Sequence, residues 1–430
     1  MLSKLKQLLK TGFFHIVGAG AINKVISMLL SIVLVRILSK TDYGCYAYAF
    51  NIVSFFVLFN GLGVPTAILQ ICSENYKDKL KSFVVYRYAF KGGIAVDMTI
   101  AILILAVALF VPLAVDGSNV LLALYSLYPF VSLLCEMRLM RLRVNLENRV
   151  YARMTNIQTL LLALFSVTGA LICQAVGLIV GQCLAYCASY LLLTYAIKES
   201  KKDCAVEVSA SELSKSEKVD FWKIATISSF NNGLGGMLTL VGTQLIGILI
   251  ANAEIVASYK VATTIPFALL FLPSAIITYV YPYFARNKND RRWTLKNYGL
   301  LLLGSGMIFL IVFALCEILA EPIICIIFGD QYLDSVPCFR ILMLGFFVTS
   351  TLRMPTGNLL VTQRRLFANT LMGVLSIAFN VFLSFILIPS YGMIGAAWVY
   401  VLTMVLGTFI CVPIFIATAG KPRKTRGGIV

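Results

Sequence analysis

The chain has 430 residues, 60% of them hydrophobic, and a formal net charge of +17 from 36 Lys and Arg against 19 Asp and Glu. A mean hydropathy of +0.89 excludes a soluble fold. The single histidine, His15, leaves no material for His-based metal sites or Ser-His-Asp triads, and no GxxxxGKS or GxxxxGKT loop supplies a nucleotide engine.

Twelve apolar blocks follow one another along the chain. A hydrocarbon core of ~30 Å needs about 20 helical residues, and blocks such as 13–36, 43–72 and 83–113 meet that. The pattern predicts an all-α integral membrane protein. The N-terminal MLSKLKQLLKTGFFH is basic and amphipathic and lacks a small-residue cleavage site, so the first block is expected to be a retained span.

Gaps alternate between basic and nearly cation-free. Lys4, Lys6 and Lys10 precede the first block; Lys77, Lys79 and Lys81 follow the second; Arg141, Arg143, Arg149 and Arg153 follow the fourth. The series continues through Lys198 to Lys218, Arg286 to Arg292, Arg364 and Arg365, and Lys421 to Arg426. The gaps around Asp116, Ala175, Asn252, Asp330 and Pro389 hold almost none. Lys and Arg resist translocation, so the basic gaps and both termini are expected to be cytoplasmic. Most of the positive charge is this topological signal, with some left for anionic headgroups, and nucleic-acid binding is not expected. The eleven cysteines lie mostly within apolar blocks without a CxxC pair, as small core residues.

The polar stretch from Lys198 to Phe221 is too charged to build a core. It divides the chain into an N-terminal six-helix lobe, 1–197, a cytoplasmic linker, 198–221, and a C-terminal six-helix lobe, 222–430. The halves repeat weakly at an offset of about 215. Tyr46-Ala-Tyr-Ala49 is echoed by Tyr259-Lys-Val-Ala262, Arg149-Val-Tyr-Ala152 by Arg365-Leu-Phe-Ala368, and Gly177 to Gly181 by Gly392 to Gly395. With an even number of spans per half, the lobes should be related by a pseudo-two-fold axis along the membrane normal, a plan that places substrate near the midplane between the lobes. Pro65, Pro266, Pro273 and Pro355 are expected to interrupt helices. Glu317 to Pro337, the one longer outer gap, suggests a short interfacial helix. The other outer gaps are too short to host a soluble partner, so catalysis is the weaker class.

An ionised side chain at mid-bilayer costs about 2.5–3.5 kcal/mol and faces a partner or a wet cavity. Lys24 lies about 16 Å into the first block, next to Asn23. Asp97 sits at similar depth in the third, so the sequence allows either a Lys24–Asp97 pair or a cavity-lining Lys24. Arg36 ends the first block on the outer side, where snorkelling to headgroups is the plain alternative to a site. Lys260 and Arg353 are anomalous in the second half. Glu136 and Arg138 read as a local ion pair. These cations outnumber Asp97, so a cavity they line would attract an anion. Asn51, Asn60, Asn231, Asn232, Gln244 and Asn380 either bind sugar hydroxyls or cross-link helices.

VRILSKTDYGCYAYAF, from Val35 to Phe50, and FNVFLSFILIPSYGMIGAAWVY, from Phe379 to Tyr400, resemble motifs of the Wzx-type oligosaccharide flippases. These are polysaccharide-biosynthesis membrane proteins of the multidrug/oligosaccharidyl-lipid/polysaccharide exporter superfamily. The resemblance spans essentially the whole chain. It implies a MATE-like, V-shaped pair of six-helix lobes that alternate access in the bacterial inner membrane and need no cofactor or covalent step. The implied substrate is an undecaprenyl-pyrophosphate-linked oligosaccharide for O-antigen, capsule or exopolysaccharide, with membrane lipids and the polysaccharide polymerase machinery as partners. Substrate would meet Lys24, Arg36, Lys260, Arg353, Asn23 and Asn231, and Asp97 would couple an ion. Tyr43, Gly44, Pro389, Tyr391, Gly392, Gly395 and Ala396 match motif positions that serve packing and turns. Multidrug antiporters of the superfamily carry a carboxylate in the first span, where this chain has Lys24, and lipid II flippases carry two extra spans. The alternatives are a cation-coupled multidrug exporter and, less favoured, a polymerase or ligase of lipid-linked sugars.

Overall fold

A computed structural model describes residues 13–75, 78–199, 213–363 and 366–420. The described residues form helices and no strand. In chain order they are α1 (Phe13–Ile37), α2 (Lys40–Val57), α3 (Val64–Glu74), α4 (Lys79–Phe110), α5 (Ser118–Leu124), α6 (Tyr128–Val144) and α7 (Asn148–Glu199). There follow α8 (Lys215–Ile250), α9 (Ala253–Leu269), α10 (Phe271–Arg286), α11 (Arg291–Ile318), α12 (Ala320–Phe328), α13 (Val336–Val348), α14 (Met354–Thr362) and α15 (Leu366–Thr418). Polar side chains start several of them. Ser39 Oγ accepts from Asp42 N, Asp78 Oδ1 from Lys81 N at 2.9 Å, and Asp290 Oδ1 from Trp293 N at 2.9 Å, satisfying backbone donors that a helix start leaves free.

Ten described stretches are long and apolar enough to cross a membrane. Two of them, α7 and α15, are too long for one crossing and fold back on themselves. In α7 the helical dihedrals fail at Cys173 and Gln174 (φ 50°). On either side of that point Gly169 lies against the Gly177 carbonyl and Gly181 against the Phe165 carbonyl, contacts centred on residue 173 that only an antiparallel hairpin makes. In α15 the break is Gly392 (φ 57°), and Gly395 lies against the Leu387 carbonyl. Each hairpin supplies two arms of about 25 residues, which brings the described crossings to the twelve expected. Without a hydrophobic drive between helices in lipid, close backbone approach through glycine is what packs them.

The chain divides into two compact units, one of Met1–Leu240 with Ala251–Glu254, the other of Val241–Ile250 with Ile255–Val430. The division falls inside α8 and not at residue 221. Phe221 and Ala225 of α8 are buried with Val64, Ala67 and Ile68 of α3, Val85 and Ala89 of α4, and Leu133 and Met137 of α6. Gly63 lies against the Ala225 carbonyl, which ties the first half of α8 to the first unit, and Gly44 lies against the carbonyl of Ala253 at the start of α9. Most of the expected linker, residues 200–212, lies outside the described residues.

In the second unit Pro266 lies inside α9, a turn before α10 begins. Pro355 lies in the first turn of α14, after a π-helical segment, Thr349–Arg353. The Glu317–Pro337 stretch contains the short helix α12, which buries Ala320, Ile324 and Phe328 and exposes Ile326.

Candidate functional site

Helix α1 has two open faces of different character. Ile22, Val25, Leu29 and Val33 are 49%, 59%, 55% and 38% exposed and fall on one stripe at helical spacing, suited to lipid. Arg36 continues that apolar stripe at the C-terminal end of α1, where a long stem can reach headgroups. On the opposite side Gly20, Lys24 and Ser27 are exposed, and Ser31 closes the row, its hydroxyl donating to the Ser27 carbonyl at 3.0 Å. A small, polar, open stripe on a membrane helix calls for water or a polar ligand, because lipid cannot solvate it. Lys24 forms no ion pair among the described residues. Asn23 sits at the edge of this face with its Oδ1 buried and unpaired.

The second site element is a break in the second crossing. Between α2 and α3 the sequence Asn60-Gly-Leu-Gly63 leaves the α-helix: Gly61, Leu62 and Gly63 take φ of 54°, 47° and 80°, and Pro65 restarts the helix in the first turn of α3. Such a run needs glycine, since a side chain at positive φ is strained. Asp97 of α4 meets the break. It is fully buried, and its Oδ1 accepts from Gly61 N at 2.6 Å while Oδ2 has no partner among the described residues. Glu136 of α6 lies close enough to interact electrostatically with Asp97 and lies near Asn60. The Asn60 Nδ2 also reaches Ser132 Oγ at 3.5 Å, and its Oδ1 is left unpaired. Two carboxylates, an amide and a hydroxyl thus lie around a helix interruption within an apolar stretch long enough to cross a membrane.

Two pairings allowed by the sequence do not form. Asp97 is met by the Gly61 amide and by Glu136, and Lys24 is not among its neighbours. Arg138 is not paired with Glu136: its Nη2 donates to the Tyr190 hydroxyl at 3.1 Å and its guanidinium covers that ring at 5.3 Å. Asn51 and Asn380 are helix cross-links. The first donates to the Leu240 carbonyl at 3.1 Å, the second to Thr403 Oγ1 of the facing arm of α15 at 3.0 Å. The side chains of Asn231 and Asn232 lie outside the described residues.

In the second unit α9 is buried from Val256 to Pro266 apart from Lys260 and Thr264. These lie one turn apart, with the Thr264 hydroxyl donating to the Lys260 carbonyl at 2.9 Å. Lys260 has no ion-pair partner among the described residues. Arg353 ends the π-helical segment before α14 and is partly buried. Asn23, Lys24, Arg36 and Asp97 therefore belong to the first unit, and Lys260 and Arg353 to the second. Sequence reasoning missed Glu136 as the neighbour of Asp97 and the break itself, although Asn-Gly-x-Gly followed by Pro carries a breaker signal.

A family model described as "Polysaccharide biosynthesis protein" matches residues 33–337. The chain belongs to that family. No curated protein matches it. Among solved structures it resembles an inward-facing multidrug resistance MATE family transporter of the MOP superfamily, with a TM-score of 0.76 and 13% identity over 94% of this chain and 96% of that one. It also resembles the lipid II flippase MurJ in an inward closed conformation, at 0.71 and 14% identity, covering 92% of this chain and 86% of MurJ. A MOP superfamily transporter from Pyrococcus furiosus matches at 0.63 and 14% identity over 95% and 96% of the two chains. At these identities the likeness fixes the fold: this polysaccharide biosynthesis protein is a multi-pass membrane protein built as MOP transporters are.

Proposed function

We propose that this protein is a flippase. It carries an undecaprenyl-pyrophosphate-linked oligosaccharide from the cytoplasmic to the outer leaflet of the bacterial inner membrane by alternating access, with both termini cytoplasmic, for O-antigen, capsule or exopolysaccharide synthesis. The observation that carries the reading is the polar open stripe of α1, with Lys24 exposed on the side opposite its lipid-facing stripe. Membership of a polysaccharide-biosynthesis family and a fold shared with a lipid II flippase support a lipid-linked sugar as cargo.

In this mechanism the headgroup enters a wet, cationic path while the polyprenyl tail stays in lipid. Lys24 and Lys260 offset the charge of the pyrophosphate, lowering the desolvation cost of crossing, and Asn23 and Asn231 offer hydrogen bonds to the sugars. Arg36, on the lipid-facing stripe, meets the headgroup at the outer boundary. Asp97 takes the role of coupling group, since protonation or cation binding at its free Oδ2 would act directly on the helix break it caps. The polymerase machinery consumes the product. The likeness to MATE transporters makes a cation-coupled multidrug exporter the second reading, and a lysine on the open face of α1 weighs against cationic cargo.

Deleting the protein should leave a lipid-linked oligosaccharide facing the cytoplasm, identified by its mass. Lys24→Ala should abolish surface polysaccharide while the protein stays in the membrane, and normal polymer output from that variant contradicts the proposal. Unchanged drug export in the same strain separates the second reading.

A further inference from the structure

We propose that Arg353 is the centre of a separate anion site inside the second unit, built to take a phosphate-type oxyanion. The stretch from Val336 to Thr362 is not a uniform helix: α13 passes through a five-residue π-helical segment, Thr349–Arg353, before α14. Single π turns re-aim side chains and occur often at functional sites. Here the buried hydroxyls of Ser350 and Thr351 have no partner among the described residues, and Arg353 ends the turn.

Its guanidinium occupies a notch made by two glycines. A methyl group at Gly357, one turn on, would sit 2.7 Å from Arg353 Nη1, and one at Gly407, on the second arm of α15, would sit 2.5 Å from Nε. Two elements thus leave out a side chain where the guanidinium lies. The group has five N–H donors in a rigid fork, and none meets a hydrogen-bond acceptor or carboxylate among the described residues. Asn369 Oδ1 lies 3.5 Å from the same point at Gly357. Arg353 is partly open and not sealed, and it lies nine residues, about 14 Å, from the end of α14. A deep cation without a protein partner is a functional site by default, and a planar fork fits two oxygens of one phosphate. The identity of the anion, a diphosphate carrier or an acidic lipid headgroup, rests on the flippase reading, whereas the site does not.

The test uses the full-length protein in nanodiscs of zwitterionic lipid, with inorganic pyrophosphate titrated by calorimetry and phosphatidylglycerol retention measured by native mass spectrometry. A Lys24→Ala, Lys260→Ala background removes the two cations that the flippase reading sets against the pyrophosphate, so loss of flipping there with pyrophosphate binding intact separates the two claims. In that background Arg353→Gln should weaken one or both probes by roughly tenfold or more. Gly407→Ala, which keeps the charge and fills the notch, should weaken the same probe, with Arg353→Lys intermediate. Loss confined to phosphatidylglycerol assigns the site to lipid headgroups, and loss of pyrophosphate assigns it to a diphosphate. Wild-type binding of both probes in Arg353→Gln overturns the proposal. Should that variant fail to fold, wild-type binding in Gly407→Ala overturns it.

Discussion

Both units interrupt a membrane helix, and they do so in opposite ways. In the first, the chain between α2 and α3 unwinds through Gly61 to Gly63, and a buried carboxylate, Asp97, closes the gap by accepting from Gly61 N. In the second, the helix between α13 and α14 widens by a π turn without leaving helical dihedrals, and the charge placed there, Arg353, finds no acceptor among the described residues. A freed backbone donor in lipid must be satisfied by the protein itself, so the first interruption is built around an internal pair. A guanidinium whose donors meet no acceptor among the described residues is, in our proposal, open to an arriving anion. The first arrangement is a joint, and the second is a receptor.

Substitutions at five positions press on this contrast, taken from the largest expected effect down. Lys24→Ala should reduce export of the lipid-linked oligosaccharide by at least about a hundredfold, with membrane levels of protein unchanged on immunoblots; Lys24→Arg should retain most of it. Asp97→Ala leaves the Gly61 amide uncapped and should cost about 2–3 kcal/mol, read as a lowered melting temperature in detergent. Asp97→Asn keeps an acceptor and should recover most of that loss while remaining uncoupled, so equal damage from both would mean that capping is not what Asp97 contributes to stability. Gly395→Val drives a branched side chain into the Leu387 carbonyl and should destabilise the hairpin by about 1–3 kcal/mol, whereas Gly373→Ala, which meets nothing within 4 Å, should be neutral or better. Lys81→Ala removes the 2.9 Å ion pair to Glu217 between two side chains each 40% exposed. Because surface pairs contribute little, its melting curve should overlay the wild type, and a clear drop would show that this end of α8 is held by charge as well as by Phe221 and Ala225.

The spans were legible in the sequence because the length and apolarity a membrane crossing needs are local signals. The glycine echo between the halves was legible too, but its register was not. The turn centred on residue 173 corresponds to the one at 391–392, so Gly177 answers to Gly395 and Gly392 sits in the turn itself. The site was half legible. Hydropathy singles out Lys24, Asp97, Lys260 and Arg353, but it says nothing of what each will face. Asp97 was open to pairing with Lys24 by depth alone, yet depth does not set azimuth: Lys24 stands on the open polar stripe of α1, while Asp97 turns inward to Gly61. The compact units divide inside α8 and not at the charged stretch for a similar reason. A charged stretch marks where the chain is polar, and it cannot reveal that the following helix packs its Phe221 and Ala225 against α3, α4 and α6.

The most direct test reconstitutes the purified protein in vesicles holding a fluorescent undecaprenyl-pyrophosphate-linked oligosaccharide and follows the headgroup's accessibility to an impermeant glycosidase. The account predicts that wild-type protein exposes the initially protected inner-leaflet pool within minutes and that Lys24→Ala protein leaves it protected. Equal exposure by the two proteins would contradict the central claim that the cationic face of α1 carries the headgroup across.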